Sequence, residues 1–250
     1  MSGAAELASL SVEDGVATIT LNRPEKRNAL SRGLLASLRA RVAEFAAEPS
    51  STVVVLEGAG KAFSAGMDLK SALNEEGAAL ELLSAIAELA IELRALPAVV
   101  IAKAHGAAIG GGCGLMVGAD IAATHPDSKV GFPEVDLGVC PAVVAPLLAS
   151  KIGPGGARRV LLEGGTMSGR EAFDRGFVDV CVPREELDGR VGEIAGRIAK
   201  AGPGAIATTK AHLNAMDGGV VERLVRGGAT LSAEVIAGAE ARERLSAIYG

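Results

Sequence analysis

The stretch Ala98-Val99-Val100-Ile101-Ala102, followed by His105-Gly106-Ala107-Ala108-Ile109-Gly110-Gly111-Gly112-Cys113-Gly114, constrains this chain more than any other. An apolar run between Pro97 and a turn reads as a buried strand. The glycines after it open a helix from about Gly110 to Val117. The first N–H groups of a helix have no internal partner and carry the positive end of its dipole. With no side chains at Gly110, Gly111 and Gly112, a ligand oxygen can reach those donors. A tight helix–sheet crossing needs glycine at the same places for packing alone, so this segment by itself leaves both readings open. It carries neither the GxxxxGK[ST] of a P-loop nor a complete GxGxxG fingerprint.

Strand-like and helix-like runs alternate through the first two-thirds of the chain. Val16 to Leu21 is a β-branched run stopped by Asn22-Arg23-Pro24. Ser31 reads as the N-cap of a helix reaching about Ala47, ahead of Pro49. Thr52 to Leu56 reads as a buried strand closed by Gly58-Ala59-Gly60. Leu82, Leu83, Ile86, Leu89 and Leu93 have helical spacing within Leu80 to Leu96, and Asp120 to Thr124 returns to strand. After Val178 to Val182 the pattern is almost entirely helical, punctuated by Pro183, Pro203 and Gly218-Gly219. The fold class is therefore α/β, with a core over residues 1–195 and a helical C-terminal region, cap or oligomerisation element, over 196–250.

Hydrophobic residues make up 49% of the chain but aromatics only 2%, so Ala, Val, Leu and Ile must build the core. A net charge of -5, with no basic patch carrying aromatics, argues against a nucleic-acid partner. Cys113, Cys140 and Cys181 form neither CxxC nor a metal-ligand pattern, which implies no disulfide, no metal and a reducing, cytoplasmic setting. Met1 to Glu6 lacks the features of a signal peptide. Gly106 to Ala119 is uncharged but too short to span a bilayer, so no membrane is expected.

Two further segments carry candidate chemistry. In Ala62-Phe63-Ser64-Ala65-Gly66-Met67-Asp68-Leu69, Gly66 permits a sharp bend that leaves the Met67 N–H pointing inward, and Asp68 is placed to cap a short helix. An ordinary strand-to-helix loop has the same composition. Glu134 lies among Val130, Phe132, Pro133, Val135 and Leu137. Desolvation there would raise its pKa into the range useful for proton transfer, whereas a surface glutamate paired with Lys129 is the plainer alternative.

In this order and combination the segments resemble the crotonase superfamily, the enoyl-CoA hydratase/isomerase family. The resemblance runs from Asn22-Arg23-Pro24-Glu25-Lys26-Arg27-Asn28-Ala29-Leu30 through Phe63 to Leu69, His105 to Gly112 and Gly131-Phe132-Pro133-Glu134-Val135-Asp136-Leu137-Gly138 to Ala172-Phe173-Asp174-Arg175-Gly176-Phe177-Val178. It implies a spiral of ββα units with a helical C-terminal region, usually a homotrimer or a dimer of trimers. It implies an acyl-CoA thioester substrate, coenzyme A being part of that substrate and no other cofactor being needed. By motif position the Met67 and Gly111 N–H groups form an oxyanion hole and Glu134 carries the proton. Ala62, Phe63, Ala65, Gly66, Asp68, Leu69, Gly110 and Gly112 would line the substrate site, with Arg23, Lys26 and Arg27 near the phosphates. Of the family's two hydratase glutamates the second matches Glu134 and the first is absent, since Gly114 stands at its position. Asp136, Asp68 and Glu88 are the candidate replacements; Cys140 and Ser64 are weaker candidates for other roles. The overall similarity favours hydratase as the activity. Double-bond isomerisation needs only one glutamate, and Gly114 also admits a non-catalytic acyl-CoA-binding protein.

Overall fold

A computed structural model describes residues 6–249. The N-terminal reading falls mostly on Met1 to Ala5, outside the described residues.

The strands β1 (Ala8–Glu13) and β2 (Val16–Leu21) form an antiparallel hairpin. Asp14 and Gly15 at its turn have φ of 50° and 76°, the left-handed backbone whose twist suits a two-residue hairpin loop. Ala17, Ile19 and Leu21 alternate into the core. The helix α1 (Arg32–Ala47) begins where Ser31 Oγ accepts the Leu34 N–H, at 3.4 Å, and it buries Leu34, Leu35, Leu38, Val42 and Phe45.

The chain then repeats a strand–strand–helix unit. The first unit is β3 (Val53–Gly58), β4 (Ala62–Ser64), a short α2 (Leu69–Asn74) and α3 (Ala78–Ala95). The second is β5 (Val99–Ala104), β6 (Ala107–Ile109) and α4 (Gly111–Gly118); the third is β7 (Ile121–Thr124), β8 (Lys129–Gly131) and α5 (Ala145–Glu163). The first strand of each unit joins a six-stranded sheet and the second joins a four-stranded one. Adjacent units pair in parallel in both sheets, β3 with β5 and β5 with β7, β4 with β6 and β6 with β8, because each helix returns the chain to the edge from which it started. This is the expected ββα spiral. The sheets are completed by β9 (Thr166–Ser168), which pairs with β8, and β10 (Val180–Cys181), which pairs with β7. Between them lies α6 (Gly169–Asp174), begun by a reciprocal capping box of Ser168 and Glu171.

Helix α7 (Leu187–Ile198) sets Leu187, Val191, Ile194 and Ala195 on Val53, Val55, Ile101 and Ala123 of the large sheet. The division expected between 195 and 196 therefore falls inside a helix. Three helices follow: α8 (Pro203–Ala215), α9 (Val220–Ala237) and α10 (Ala239–Tyr249). α9 lies along α3, and Val225, Ala229 and Ile236 join the main core. Among the described residues no helix is long and apolar enough to cross a membrane.

Candidate active site

The segments that follow β4, β6 and β8 border one cavity of about 690 Å³, its open mouth included. Gly66 and Met67 come from the first, Gly110 and Gly111 from the second and Glu134 from the third; Leu83, Ile86, Val143 and Val144 supply apolar walls.

The turn at Met67 is held by side chains far away in sequence. Buried Ser64 donates its hydroxyl to Asn28 O at 2.9 Å and accepts the Gly66 N–H at 3.2 Å. Asn28 Nδ2 in turn donates to Ala62 O and Ala59 O. Leu30 bridges Met67, but the two hydrogen bonds run from Leu30 N–H to Gly66 O and from Asp68 N–H to Leu30 O. The Met67 N–H is thus left out of the ladder. Gly66 has φ of 86°, and a Cβ on it would sit 2.5 Å from Ile109 O and 3.4 Å from Gly111 N. Glycine there brings the two turns together. Asp68 caps α2, as expected, by accepting the Ser71 N–H.

Gly111 is the first residue of α4, so its N–H has no partner inside the helix. Gly110, at φ 53° and ψ -122°, donates its N–H to Gly131 O at 2.9 Å. Among the described residues the Met67 and Gly111 N–H groups have no protein acceptor. Gly112 has a different task. A Cβ on it would meet Ser64 O at 2.6 Å, so it lets α4 lie on β4 and stays off the cavity wall.

Glu134 begins a tight turn, Val135–Leu137, and its carbonyl accepts the Leu137 and Val139 N–H groups. Its Oε1 faces Gly110, 3.1 Å from where a Cβ would stand. Its Oε2 is shielded from solvent and has no hydrogen-bond partner, although the residue as a whole is only partly buried. Desolvation, reinforced by the charge of Asp136, pushes this carboxyl up to about 7. Lys129 is exposed and makes no ion pair with it. A carboxyl that changes charge near neutrality, beside two unsatisfied amides, can move a proton next to an oxygen that becomes negative.

Residues 11–247 match the sequence model of enoyl-CoA hydratase/isomerase. The chain belongs to this family. It is 33% identical over 208 residues to a crotonyl-CoA hydratase of Syntrophomonas wolfei, covering 82% of this chain and 80% of that one. It is 32% identical over 206 residues to a hydroxycinnamoyl-CoA hydratase-lyase of Pseudomonas fluorescens, covering 80% and 75%. An enoyl-CoA hydratase structure from Bacillus halodurans superposes with a TM-score of 0.89 at 24% identity over 97% of this chain and 100% of the other, which speaks to the fold. One from Bacillus anthracis has a TM-score of 0.80 at 31% identity over 89% and 90%.

Against the family's two-glutamate pattern, position 114 of this member is closed. A methyl group on buried Gly114 would overlap Val144 Cγ1, and Val144 is itself a cavity wall. None of the candidate replacements reaches the cavity. Asp136 is exposed and accepts the Gly165 N–H at 2.7 Å, since its segment is a helical turn instead of the strand that would have put it on the face of Glu134. Glu88 pairs with Arg226 at 2.8 Å, and Asp68 with Arg23 at 2.8 Å. Desolvation works against the Asp68 charge, but the Arg23 hydrogen bond and the Ser71 amide hold it below the usual carboxylate range. Among the described residues Glu134 is the one carboxylate on the cavity wall.

The remaining expected residues divide. Ala65 and Leu69 line the cavity. Ala62 and Phe63 are buried in β4 instead, Phe63 in the main core and Ala62 with its carbonyl bound to Asn28, because three-residue β4 is covered on both faces. Arg23 is held by Asp68 and Ala29 O, which leaves Lys26 and Arg27 as the exposed cations of its loop. Ser64 has spent its hydroxyl on the turn and is no nucleophile. The His105 ring is bonded to Gly60 O. Cys140 lines the cavity with its thiol pushed up by burial. Val144 and Ser232 are among the wall residues that escaped sequence reasoning. The available signal for Ser232 was its place as a serine in the buried stripe Val221, Val225, Gly228, Ala229, Ile236 of α9.

Proposed function

We propose that this family member processes an acyl-CoA thioester through an enolate, with Glu134 as its single proton carrier. The observation supporting this reading is the shielded, partnerless Glu134 Oε2 in the same cavity as the free Met67 and Gly111 amides. The thioester oxygen accepts both N–H groups, which stabilise the charge that develops there; one such donor is worth roughly 10²–10³ in rate. Hydration of a 2-enoyl thioester is the first reading, in line with the names of the relatives. Glu134 then takes a proton from the water that bonds to C3 and returns it to C2. Isomerisation is the second reading, favoured by Val144, which occupies the space beside Gly114. There Glu134 removes a C2 proton from a 3-enoyl thioester and returns one at C4. Lys26 and Arg27 meet the CoA phosphates, and the exposed Leu213 of α8, Met216 just after it, and Leu224 and Leu231 of α9 suit burial in a homotrimer or a dimer of trimers.

The test is a panel of 2-enoyl- and 3-enoyl-CoAs with product analysis, run against Glu134→Gln. Turnover that vanishes in the variant supports the reading, and the product separates hydration from double-bond migration. CoA-ester binding without turnover of any panel member would make the chain a binding protein.

A further inference from the structure

The segment that carries Glu134 does not hold itself in place. From Glu134 to Val144 it has only short turns and no strand, and it lies under α9 and α10. Ser232, in the middle of α9, is 1% exposed. Its hydroxyl donates to Cys140 O at 2.6 Å and accepts the Ala142 N–H at 3.2 Å, while the residue also borders the cavity. Four residues earlier, a Cβ on Gly228 would run into Ala142 O, so glycine there lets α9 descend onto this turn. Arg244 of α10 donates to Asp136 O at 3.3 Å, and a Cβ on Gly138 would stand 3.0 Å from Arg244 Cδ. Every other buried residue of the α9 stripe is apolar or glycine. A serine there costs core burial, and its two hydrogen bonds are what it supplies in exchange.

We propose that Ser232 is a positioning residue for Glu134: it clasps the Cys140–Ala142 turn and so closes the wall that keeps bulk water from the Glu134 carboxyl. This rests on Glu134 being the proton carrier. Without the hydroxyl, Cys140 O and Ala142 N–H lose their partner in a buried place, and the turn must open to water to satisfy them. The acid facing that water is Glu134. The other titratable groups about the segment are Cys113 and Cys140, both kept as thiols by burial, with Asp136 and Arg244 on its outer side. The C-terminal helices thereby set the chemistry of a group supplied by the third strand–strand–helix unit.

The test uses the full chain with ¹³C-labelled glutamate carboxyls, the Glu134 signal being the one missing from Glu134→Gln. The unchanged chain should titrate this group near 7. In Ser232→Ala, and in Ser232→Cys where the volume is kept and the donor weakened, the midpoint should fall toward the ordinary value of about 4.3. Ser232→Thr, which keeps the hydroxyl, should stay with the parent. On whichever enoyl-CoA the panel identifies, Ser232→Ala should lower kcat about tenfold and change KM much less, as expected for two lost hydrogen bonds that orient without binding. Thermal unfolding of each variant checks that it is folded. Parent-like titration in folded Ser232→Ala or Ser232→Cys overturns the proposal. Full activity in Glu134→Gln instead overturns the proposed function, and the titration still decides the clasp.

Discussion

Glu134 makes two claims on pH that have separate readouts. A carboxyl held near 7 by desolvation is half ionised at neutrality, where a group that both takes and gives a proton works best. If proton abstraction limits turnover, kcat/KM on a 3-enoyl-CoA should rise through about pH 7 and level off above it. Replacement by Gln should lower kcat roughly 10²–10⁴-fold, with CoA-ester binding by calorimetry nearly unchanged. Stability moves the other way. The folded pKa lies above the unfolded one, so the folded state holds the extra proton and this contribution is complete below about pH 4.5. It is lost as pH rises through about 7, by about 3 kcal/mol. Urea midpoints at pH 5 and pH 8 should therefore differ less in Glu134→Gln than in the parent. At this scale the sequence was a fair guide to Glu134, because its apolar neighbours are local. It was a poor guide to Arg23, whose partner Asp68 is 45 positions away: a cation near a phosphate motif and a cation consumed by an ion pair look alike in one dimension.

The helix α4 shows the same division between elements. Its glycines were legible as a cluster, yet each answers to a different neighbour. Gly111 leaves an amide open, Gly112 admits β4, and Gly114 admits Val144. Gly114→Ala should cost about 1–3 kcal/mol by overpacking, read as a lower urea midpoint at unchanged slope. Val144→Ala in the same chain should recover part of that loss, because the two side chains compete for one volume. A glutamate placed at 114 alone should fold less stably still and gain no hydration. The longer elements were legible, α3 from its helical spacing, α1 from its Ser31 cap and the Pro49 stop, and β2, β3 and β5 from β-branched or apolar runs. The strands β4, β6, β8 and β9 have three residues each, too few for a period of two to register. They nonetheless form the sheet from whose ends Met67, Gly111 and Glu134 depart.

At the scale of the molecule, the C-terminal helices are tied to the core by one buried charge. Lys210 on α8, 7% exposed, donates to Asp120 Oδ2 at 2.6 Å and to Ala98 O at 2.9 Å, while Asp120 also accepts the Val100 N–H. Desolvation lowers the Lys210 pKa, and Asp120 opposes it. Lys210→Ala leaves Ala98 O without its buried donor and removes the ion pair with Asp120, whose carboxylate remains open to water, and should destabilise the fold by about 1–3 kcal/mol, measured by denaturant unfolding. If the exposed leucines of α8 and α9 are buried between copies, light scattering should report three or six chains, and Leu224→Glu with Leu231→Glu should lower that number.

The sequence by itself determined the alternation of elements, the glycine turns and the apolar neighbours of Glu134, since these depend on residues within a few positions. Only the tertiary structure decided which cations are free, what fills the space beside Gly114, and that Ser232 stands over the segment that carries Glu134. Those outcomes depend on which distant surfaces occupy the same volume. A chain declares what it can bury, but exclusion between side chains exists only after the units have stacked.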